Sequence, residues 1–257
     1  MLVAGLKKKE ILNTMSTAVH FVSLRRSGTH PIGGFIQKAT NTKLWNNQFI
    51  QHFIEAEKEG RRLLNSENSL IIYEDHSPWF VSQQLTEHKY FQKAIGTYDK
   101  HVIVVNFRDC YNLFASRIKH WDLMSSEGKH INTNMLYSVT GDFLKLYIEN
   151  ATLPQPTCKV KYNSFIENVE ERKELYDFLE RKTDIDLQSF EKADESLNEV
   201  DVNGNGSSFV GRKKRDNYHN GYEYYSDLEV FRNIFTEPLI NANKTIFNFE
   251  CPWVKSI

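Results

Sequence analysis

The sequence predicts an α/β fold in which a central parallel β-sheet is flanked by helices. Four short apolar runs rich in β-branched residues are spaced along the chain, namely Val19–Leu24, Leu70–Tyr73, Val102–Phe107 and Cys158–Tyr162. The first three show little alternation of polar and apolar residues, which is typical of strands covered on both faces. Segments with helical spacing separate the runs, and strands that alternate with helices favour parallel pairing.

Length and composition predict one soluble, folded unit. The 257 residues can bury a sizeable core, and we predict a single domain over 1–257. Apolar residues make up 40% of the chain and charged residues 25%, which is ordinary for a globular protein. Because the net charge is only −1, the composition argues against general nucleic-acid binding.

The predicted location is cytoplasmic. No apolar run approaches the ~18 residues of a membrane span, and the lysine-rich start lacks the pattern of a secretory signal. We therefore expect residues 1–17 to form an N-terminal arm. Cys110, Cys158 and Cys251 lie far apart in the sequence, so neither a disulfide framework nor a zinc site is predicted.

The first strand leads into a loop suited to an anion, with the sequence RRSGTH at residues 25–30. A helix that begins after a strand presents unpaired N–H groups and a positive dipole end. Arg26 adds a full positive charge, Ser27 and Thr29 supply hydroxyl groups, and Gly28 lets the backbone turn. The loop predicts a phosphate or sulfate pocket. It is not a Walker A motif, because the lysine and its Ser or Thr neighbour are absent.

Helices are predicted where apolar residues recur three or four positions apart. The positions are Phe49, Phe53 and Ala56 within 48–64, Leu113, Phe114 and Ile118 after the third strand, and Phe165, Val169, Leu175, Phe178 and Leu179 after the fourth. The polar stretch 194–222 contains a basic tip and predicts a mobile loop. A further helix is predicted from about residue 225 to 240.

Polar residues also follow the second and third strands. The second ends in Glu74-Asp75-His76, and an imidazole in this place can take up a proton near neutral pH. The third ends at Arg108, and Ser116 follows eight residues later. A strand-end arginine and a hydroxyl two turns into the next helix can converge on one phosphate.

Taken together, these stretches resemble the sulfotransferases that use 3′-phosphoadenosine 5′-phosphosulfate (PAPS) and share a P-loop-like core. Residues 25–30 are similar to the family loop P-[KR]-S-G-T-T, although Arg25 stands where proline is usual and Pro31 where tryptophan is common. The resemblance implies that Arg25, Arg26, Ser27, Gly28, Thr29 and His30 bind the phosphosulfate. It extends from residue 21 to about 218.

The same resemblance assigns the remaining contacts to the nucleotide. Arg108 and Ser116 match the family's 3′-phosphate site, R-[ND]-x6-S, and Tyr162 matches a tyrosine near the base. The basic tip after Phe209 is similar to a segment that folds over the 3′-phosphate, which implies roles for Arg212, Lys213 and Lys214. Residues 194–222 would then form a loop that covers the cofactor.

The resemblance further implies transfer of a sulfuryl group from PAPS to a hydroxyl or amine, with 3′-phosphoadenosine 5′-phosphate (PAP) as product and no metal. His76-Ser77-Pro78 aligns with the H-x-P of members that use histidine as base, and Glu74 and Asp75 are the alternative bases. Arg26 would stabilise the leaving phosphate. The expected partner is a small-molecule or glycan acceptor, and no membrane span is expected.

Two other functions remain open on the sequence alone. A P-loop nucleotide kinase or NTPase is supported by the apolar strand that ends in Glu74 and Asp75, which is similar to a magnesium-holding Walker B strand. The other is a non-catalytic PAP-binding module on the same fold. Metal-free PAP binding would favour the sulfotransferase over the kinase, and turnover with an acceptor would distinguish it from the module.

Overall fold

The computed structural model describes residues 16–45, 55, 58, 59, 68–95, 98–119, 134–198 and 221–250. Most of the N-terminal arm, almost all of the helix predicted within 48–64, and the basic tip with Arg212, Lys213 and Lys214 lie outside the described residues. The structure therefore does not test those predictions.

The described residues form a five-stranded sheet in which every pair of neighbouring strands is parallel, as the sequence predicts. The strands are β1 (Thr17–Ser23), β2 (Lys43–Trp45), β3 (Ser69–Glu74), β4 (Lys100–Phe107) and β5 (Thr157–Lys161), in the spatial order β2-β3-β1-β4-β5. All four predicted strands are confirmed, with bounds that shift by one or two residues. The short β2 was not predicted.

The helices whose bounds fall within the described residues are α1 (Thr29–Thr40), α2 (Pro78–Glu87), α3 (Lys89–Ile95), α4 (Cys110–Lys119), α5 (Asn134–Ile148), α6 (Tyr162–Glu167), α7 (Val169–Lys182), α8 (Phe190–Glu195), α9 (Glu229–Arg232) and α10 (Glu237–Phe247). Short 3₁₀ turns cover Ser196–Asn198 and Gly221–Tyr225. Among the described residues, no helix is both long and apolar enough to cross a membrane.

The sheet is covered on both faces. Side chains alternate between the faces of a strand, so Val19 and Phe21 of β1 pack with α1, while Ala18 and Val22 belong to a second core with Phe114 of α4. Both sets are buried. This double burial explains why the strand segments are continuous apolar runs in the sequence.

The helix predicted from Phe165 through Leu179 is interrupted. The Asn168 side chain accepts a hydrogen bond from the Glu170 N–H and caps a new helix, so the segment forms α6 and α7. Val169 is 38% exposed and does not belong to the apolar face to which it was assigned. An asparagine favours a cap over a helix interior because its side chain competes for backbone hydrogen bonds.

The single helix predicted over 225–240 is also wrong. The chain instead forms a 3₁₀ turn ending at Tyr225, the short α9, and then α10. Pro238 lies in the first turn of α10, where its missing N–H is tolerated. In the interior of a longer helix it would remove a hydrogen bond and clash with the preceding turn.

Candidate functional site

The sheet brings the predicted site segments to one edge. Ser23 of β1 pairs with Glu74 of β3 and with Asn106 of β4, and Phe107 of β4 pairs with Lys161 of β5. Because the strands are parallel, the segments that follow them leave the sheet on the same side. Ligands of open α/β sheets bind at this carboxyl edge.

The loop after β1 has the backbone shape needed to begin a helix. Arg26 has φ 71° and Gly28 has φ 100°, and the Ser27 N–H donates to the Leu24 carbonyl at 3.0 Å. Gly28 is the N-cap of α1. Because glycine has no side chain, it makes no capping hydrogen bond to the first turn. The N–H groups in the first turn of α1 can therefore donate hydrogen bonds to an anion. His30 is exposed in this turn.

Glycine is required at position 28 for two reasons. Its φ lies in the left-handed region, and a Cβ there would lie 1.9 Å from Cδ2 of Tyr162. The close approach is thus to the Tyr162 ring. Tyr162 is the first residue of α6, and its buried ring packs beneath the loop. The ring therefore has no exposed face on which a nucleotide base could stack.

Arg108 contacts the same loop from the end of β4. Its Nη1 donates to the carbonyl oxygen of Arg26 at 2.6 Å, and its guanidinium carbon lies 5.0 Å from the centre of the Tyr162 ring. The predicted 3′-phosphate segment and the predicted loop are therefore in direct contact. Ser116 is half-buried on α4.

The two loop hydroxyls are buried and bonded to other side chains. Asn106 Nδ2 donates to the carbonyl oxygen of Ser27 at 3.0 Å and to its Oγ at 2.9 Å. Thr29 Oγ1 lies 2.9 Å from Oγ of Ser23. These bonds make Ser27 and Thr29 part of the loop's own support. Asn106 was not singled out in the sequence, although a polar residue within the apolar run Val102–Phe107 was the available signal.

His76 has a defined tautomer. Its Nδ1 lies 2.8 Å from the carbonyl oxygen of Glu74. A carbonyl oxygen can only accept, so Nδ1 carries the hydrogen and a neutral ring presents Nε2 as the acceptor. The ring also lies nearly parallel to that of Phe80, which is exposed, with centroids 6.4 Å apart. An imidazole in this tautomer can accept a proton at Nε2.

The two carboxylates before His76 are close to arginines. Arg25 Nε lies 3.7 Å from Oε2 of Glu74 and 4.0 Å from Oδ2 of Asp75. Asp75 Oδ1 accepts from Nη1 of Arg117 at 2.6 Å and from the Arg25 N–H at 3.0 Å. Arg117 of α4 is buried and was missed in the sequence, where it follows Ser116 without any distinguishing pattern.

A buried carboxylate holds the start of α4. Asp109 accepts from the N–H and the side-chain amide of Asn112 at 2.9 and 3.0 Å, and from the side chain of Asn163 at 3.2 Å. Asn112 Oδ1 in turn accepts from the Gly221 N–H at 2.9 Å. The chain that follows residue 220 is thereby attached to the helix that begins just after Arg108.

A hydrogen-bonded row of three rings lies behind the site, with His20 and Tyr73 buried and His101 half-buried. His20 Nδ1 is 3.0 Å from the Tyr73 hydroxyl, and His20 Nε2 is 3.0 Å from Nδ1 of His101. Burial lowers the pKa of His20, and the neighbouring His101 lowers it further. Burial likewise lowers the pKa of His101 and raises that of Tyr73. The row reaches the site because the Tyr73 ring contacts that of His76, with centroids 6.2 Å apart.

Within the described ranges, no group of three or more His, Cys, Asp and Glu side chains is arranged to hold a metal ion. Four guanidinium groups, from Arg25, Arg26, Arg108 and Arg117, lie at the carboxyl edge, and two of them, Arg25 and Arg117, are paired with the carboxylates of Glu74 and Asp75. Such groups bind phosphate and carboxylate oxygens. The arrangement is suited to an anionic ligand.

Comparison with protein-family models gives no match, and comparison with curated protein sequences gives none either. Among solved structures, the chain is similar to mouse sulfotransferase SULT7A1 complexed with PAP. The two chains are 13% identical, the match covers 87% of this chain and 80% of that one, and the TM-score is 0.41.

Proposed function

We propose that this protein is a PAPS-dependent sulfotransferase that transfers the sulfuryl group to a hydroxyl or amine of a small-molecule or glycan acceptor. The hydrogen bond from Arg108 to the Arg26 carbonyl is the observation that supports it most directly. It brings together two segments whose sequences separately indicate phosphate binding. A ligand with two phosphate-like groups, as in PAPS, suits two such adjoining sites.

The nucleotide is bound at the carboxyl edge of the sheet. The first-turn amides of α1 and the Arg26 side chain bind the 5′-phosphosulfate, and Arg108 and Ser116 bind the 3′-phosphate. His30, at the exposed start of α1, is a further contact to the phosphosulfate. Arg212, Lys213 and Lys214 complete the contacts to the 3′-phosphate.

Transfer is an in-line displacement at sulfur. The acceptor atom forms a bond to sulfur while the bond between sulfur and the bridging oxygen of the 5′-phosphate breaks, and PAP leaves. His76 accepts the acceptor's proton at Nε2, in agreement with the hydrogen bond that places the other proton on Nδ1. Arg26 and the loop amides stabilise the charge that develops on the leaving phosphate.

The charge pairing around Glu74 and Asp75 favours this function over a P-loop kinase. A kinase would use such strand-end carboxylates to hold magnesium. Here Asp75 accepts from Arg117 and from the Arg25 N–H, and Glu74 lies beside the Arg25 guanidinium. The same contacts make these carboxylates weaker candidates for the base than His76.

Calorimetry with PAP in the presence of a chelator tests the proposal. We expect metal-free binding of PAP that is stronger than binding of ATP, because ATP lacks the 3′-phosphate. Turnover of radiolabelled PAPS with a panel of phenols, alcohols, amines and sugars then tests for transfer. Magnesium-dependent ATP binding without PAP binding would favour the kinase, and PAP binding without transfer to any acceptor class would favour the binding module.

A further inference from the structure

The residue just before His76 has an unusual backbone conformation. Asp75 has φ 58°, in the left-handed region that few residues with a Cβ adopt, although Asp is among those enriched there. Its N–H donates to the Ser23 carbonyl at 2.9 Å. The turn that follows lets the His76 ring approach the Glu74 carbonyl. The conformation of Asp75 therefore determines where the imidazole lies.

The Asp75 side chain is fixed by contacts from two other elements. Oδ1 accepts from Nη1 of Arg117 in α4 at 2.6 Å and from the N–H of Arg25 in the loop at 3.0 Å. The same Nη1 lies 3.5 Å from the Arg25 carbonyl oxygen. Arg117 thus connects α4, the loop after β1 and the end of β3 at one point.

Arg117 is suited to a fixed role because it is buried. It is 7% exposed, and the side chains of Arg117 and Asp75 are 8% and 13% exposed. A guanidinium group that is paired in the interior has little freedom to leave its partner, and removal of one partner leaves an uncompensated charge. Arg25, whose side chain is 38% exposed, has no comparable restraint.

We propose that Arg117 is a positioning residue that acts through Asp75 to hold the His76 imidazole against the Glu74 carbonyl, with the proton on Nδ1. The effect of this positioning on catalysis rests on the proposed function, in which His76 is the base. Without Arg117, Asp75 keeps its bonds to the Ser23 carbonyl and the Arg25 N–H but loses the contact from α4 that best fixes its carboxylate, so its left-handed conformation is held less firmly. His76 then samples other orientations, and its two neutral tautomers both become populated.

Nitrogen NMR of the full chain labelled with ¹⁵N-histidine tests the proposal. The His76 ring signals are assigned by their loss in His76→Asn, and spectra are recorded in mildly alkaline buffer. We expect the parent to show His76 as the Nδ1–H tautomer alone. In Arg117→Met, the Nε2–H tautomer should rise to about a tenth or more of the population, since loss of a fixed hydrogen bond shifts such equilibria by this order.

Arg172→Met is the matched control. Arg172 of α7 is also largely buried and paired with a single aspartate, Asp194, but its other hydrogen bonds run to the Phe165 and Ile166 carbonyl oxygens and not to Asp75 or the loop after β1. Both Met variants should lower the thermal midpoint, and only Arg117→Met should change the His76 signals. Unchanged His76 signals in Arg117→Met, or an equal change in Arg172→Met, would overturn the positioning role.

Two variants at Asp75 keep the test decisive even if Arg117→Met does not fold. Asp75→Asn retains an oxygen that can accept from Arg117 and Arg25, so the parent tautomer should persist. Asp75→Ala removes that oxygen and should give the mixed tautomers. The opposite pattern contradicts the proposal. PAP calorimetry on the parent is independent of these spectra, so a protein that binds no PAP would disprove the proposed function and leave the role of Arg117 standing.

Discussion

Arg108 and Arg26, 82 residues apart in sequence, are joined by a 2.6 Å hydrogen bond from the guanidinium group of the first to the carbonyl oxygen of the second. The bond gives Arg108 a fixed place beside the loop after β1. It also brings two arginine residues together at the carboxyl edge of the sheet. The bond therefore joins the two segments for which the sequence separately predicts phosphate binding.

The first prediction concerns recognition of the 3′-phosphate by Arg108. Arg108→Ala should weaken PAP binding by about 1.5–3 kcal/mol more than it weakens 5′-AMP binding, the range for a hydrogen bond to a charged group. Both ligands lose the support that Arg108 gives to the loop, but only PAP loses the contact to its 3′-phosphate. The ratio of the two affinities, measured by calorimetry, should therefore fall by about 10- to 150-fold. An Arg108→Ala protein that distinguishes PAP from 5′-AMP as well as the parent does would show that another group reads the 3′-phosphate.

The second prediction concerns Gly28. Gly28→Ala places a Cβ 1.9 Å from the Tyr162 ring at a residue with φ +100°. We expect a loss of about 2–4 kcal/mol in the free energy of unfolding, from overpacking together with backbone strain. Gly34→Ala is the matched control, because it lies in the same helix and its Cβ would meet nothing within 4 Å. It should raise the free energy of unfolding by about 0.5–1 kcal/mol.

Urea denaturation of both variants gives the comparison. Equal effects at the two glycines would mean that the loop can move away from Tyr162 at little cost. In that case the packing of Tyr162 beneath the loop would not depend on the absence of a side chain at residue 28.

Much of the sheet could be predicted because parallel strands covered on both faces remain apolar along their length, as Val102–Phe107 does. The short β2 could not be predicted, since Lys43–Trp45 is too brief to show any periodicity. The break at Asn168 depends on a side-chain cap, and apolar spacing alone does not report a cap.

The position of several candidate residues could be predicted for a related reason. Arg26, His76 and Arg108 follow the ends of β1, β3 and β4 within a few residues, so the sequence places them at the carboxyl edge. Arg117 and Asn106 act on partners 42 and 79 residues away. No local pattern reveals the partner of either residue. Asn106 is only visible as a polar residue within an apolar run, and Arg117 lies in a helix of mixed composition.

The third prediction concerns Asn106. Asn106→Asp keeps the size of the side chain but removes the Nδ2 group that donates to the carbonyl oxygen and Oγ of Ser27. A buried carboxylate would then face a carbonyl oxygen, so we expect a loss of about 1–3 kcal/mol or more in the free energy of unfolding. Ser27→Ala removes only one of the two acceptors and should cost less. A larger loss in Ser27→Ala, measured by the same urea denaturation, would contradict this account.

The fourth prediction concerns the pH dependence of stability. The pKa values of His20 and His101 are lowered in the folded protein, chiefly by burial. The unfolded chain therefore binds protons at a higher pH than the folded protein does. The stability that the neutral pair contributes is complete above the ordinary histidine pKa of about 6.5, and it is lost as the pH falls toward the lowered folded values.

Thermal midpoints measured between neutral and mildly acidic pH test this dependence. His20→Gln can still hydrogen-bond but does not titrate, so its midpoint should fall less steeply with decreasing pH than that of the parent. His88→Gln, at an exposed histidine, is the control and should behave like the parent. If the thermal midpoint falls equally steeply with decreasing pH in the parent and in His20→Gln, the loss of stability in acid comes from other groups.

The last prediction tests His76 as the base. His76→Asn is the sharpest variant, because the asparagine amide can still donate to the Glu74 carbonyl as Nδ1 does, yet offers no nitrogen in place of Nε2. With an acceptor found in the panel above, kcat should fall about 10²–10⁴-fold, the usual contribution of a general base, while PAP affinity stays near the parental value. Glu74→Gln and Asp75→Asn keep shape and hydrogen-bonding oxygens but abolish a carboxylate base. Both should retain far more turnover than His76→Asn. If either amide variant loses kcat while His76→Asn keeps it, the base is that carboxylate, and the contacts that Arg25 and Arg117 make to it would then serve to orient a catalytic group.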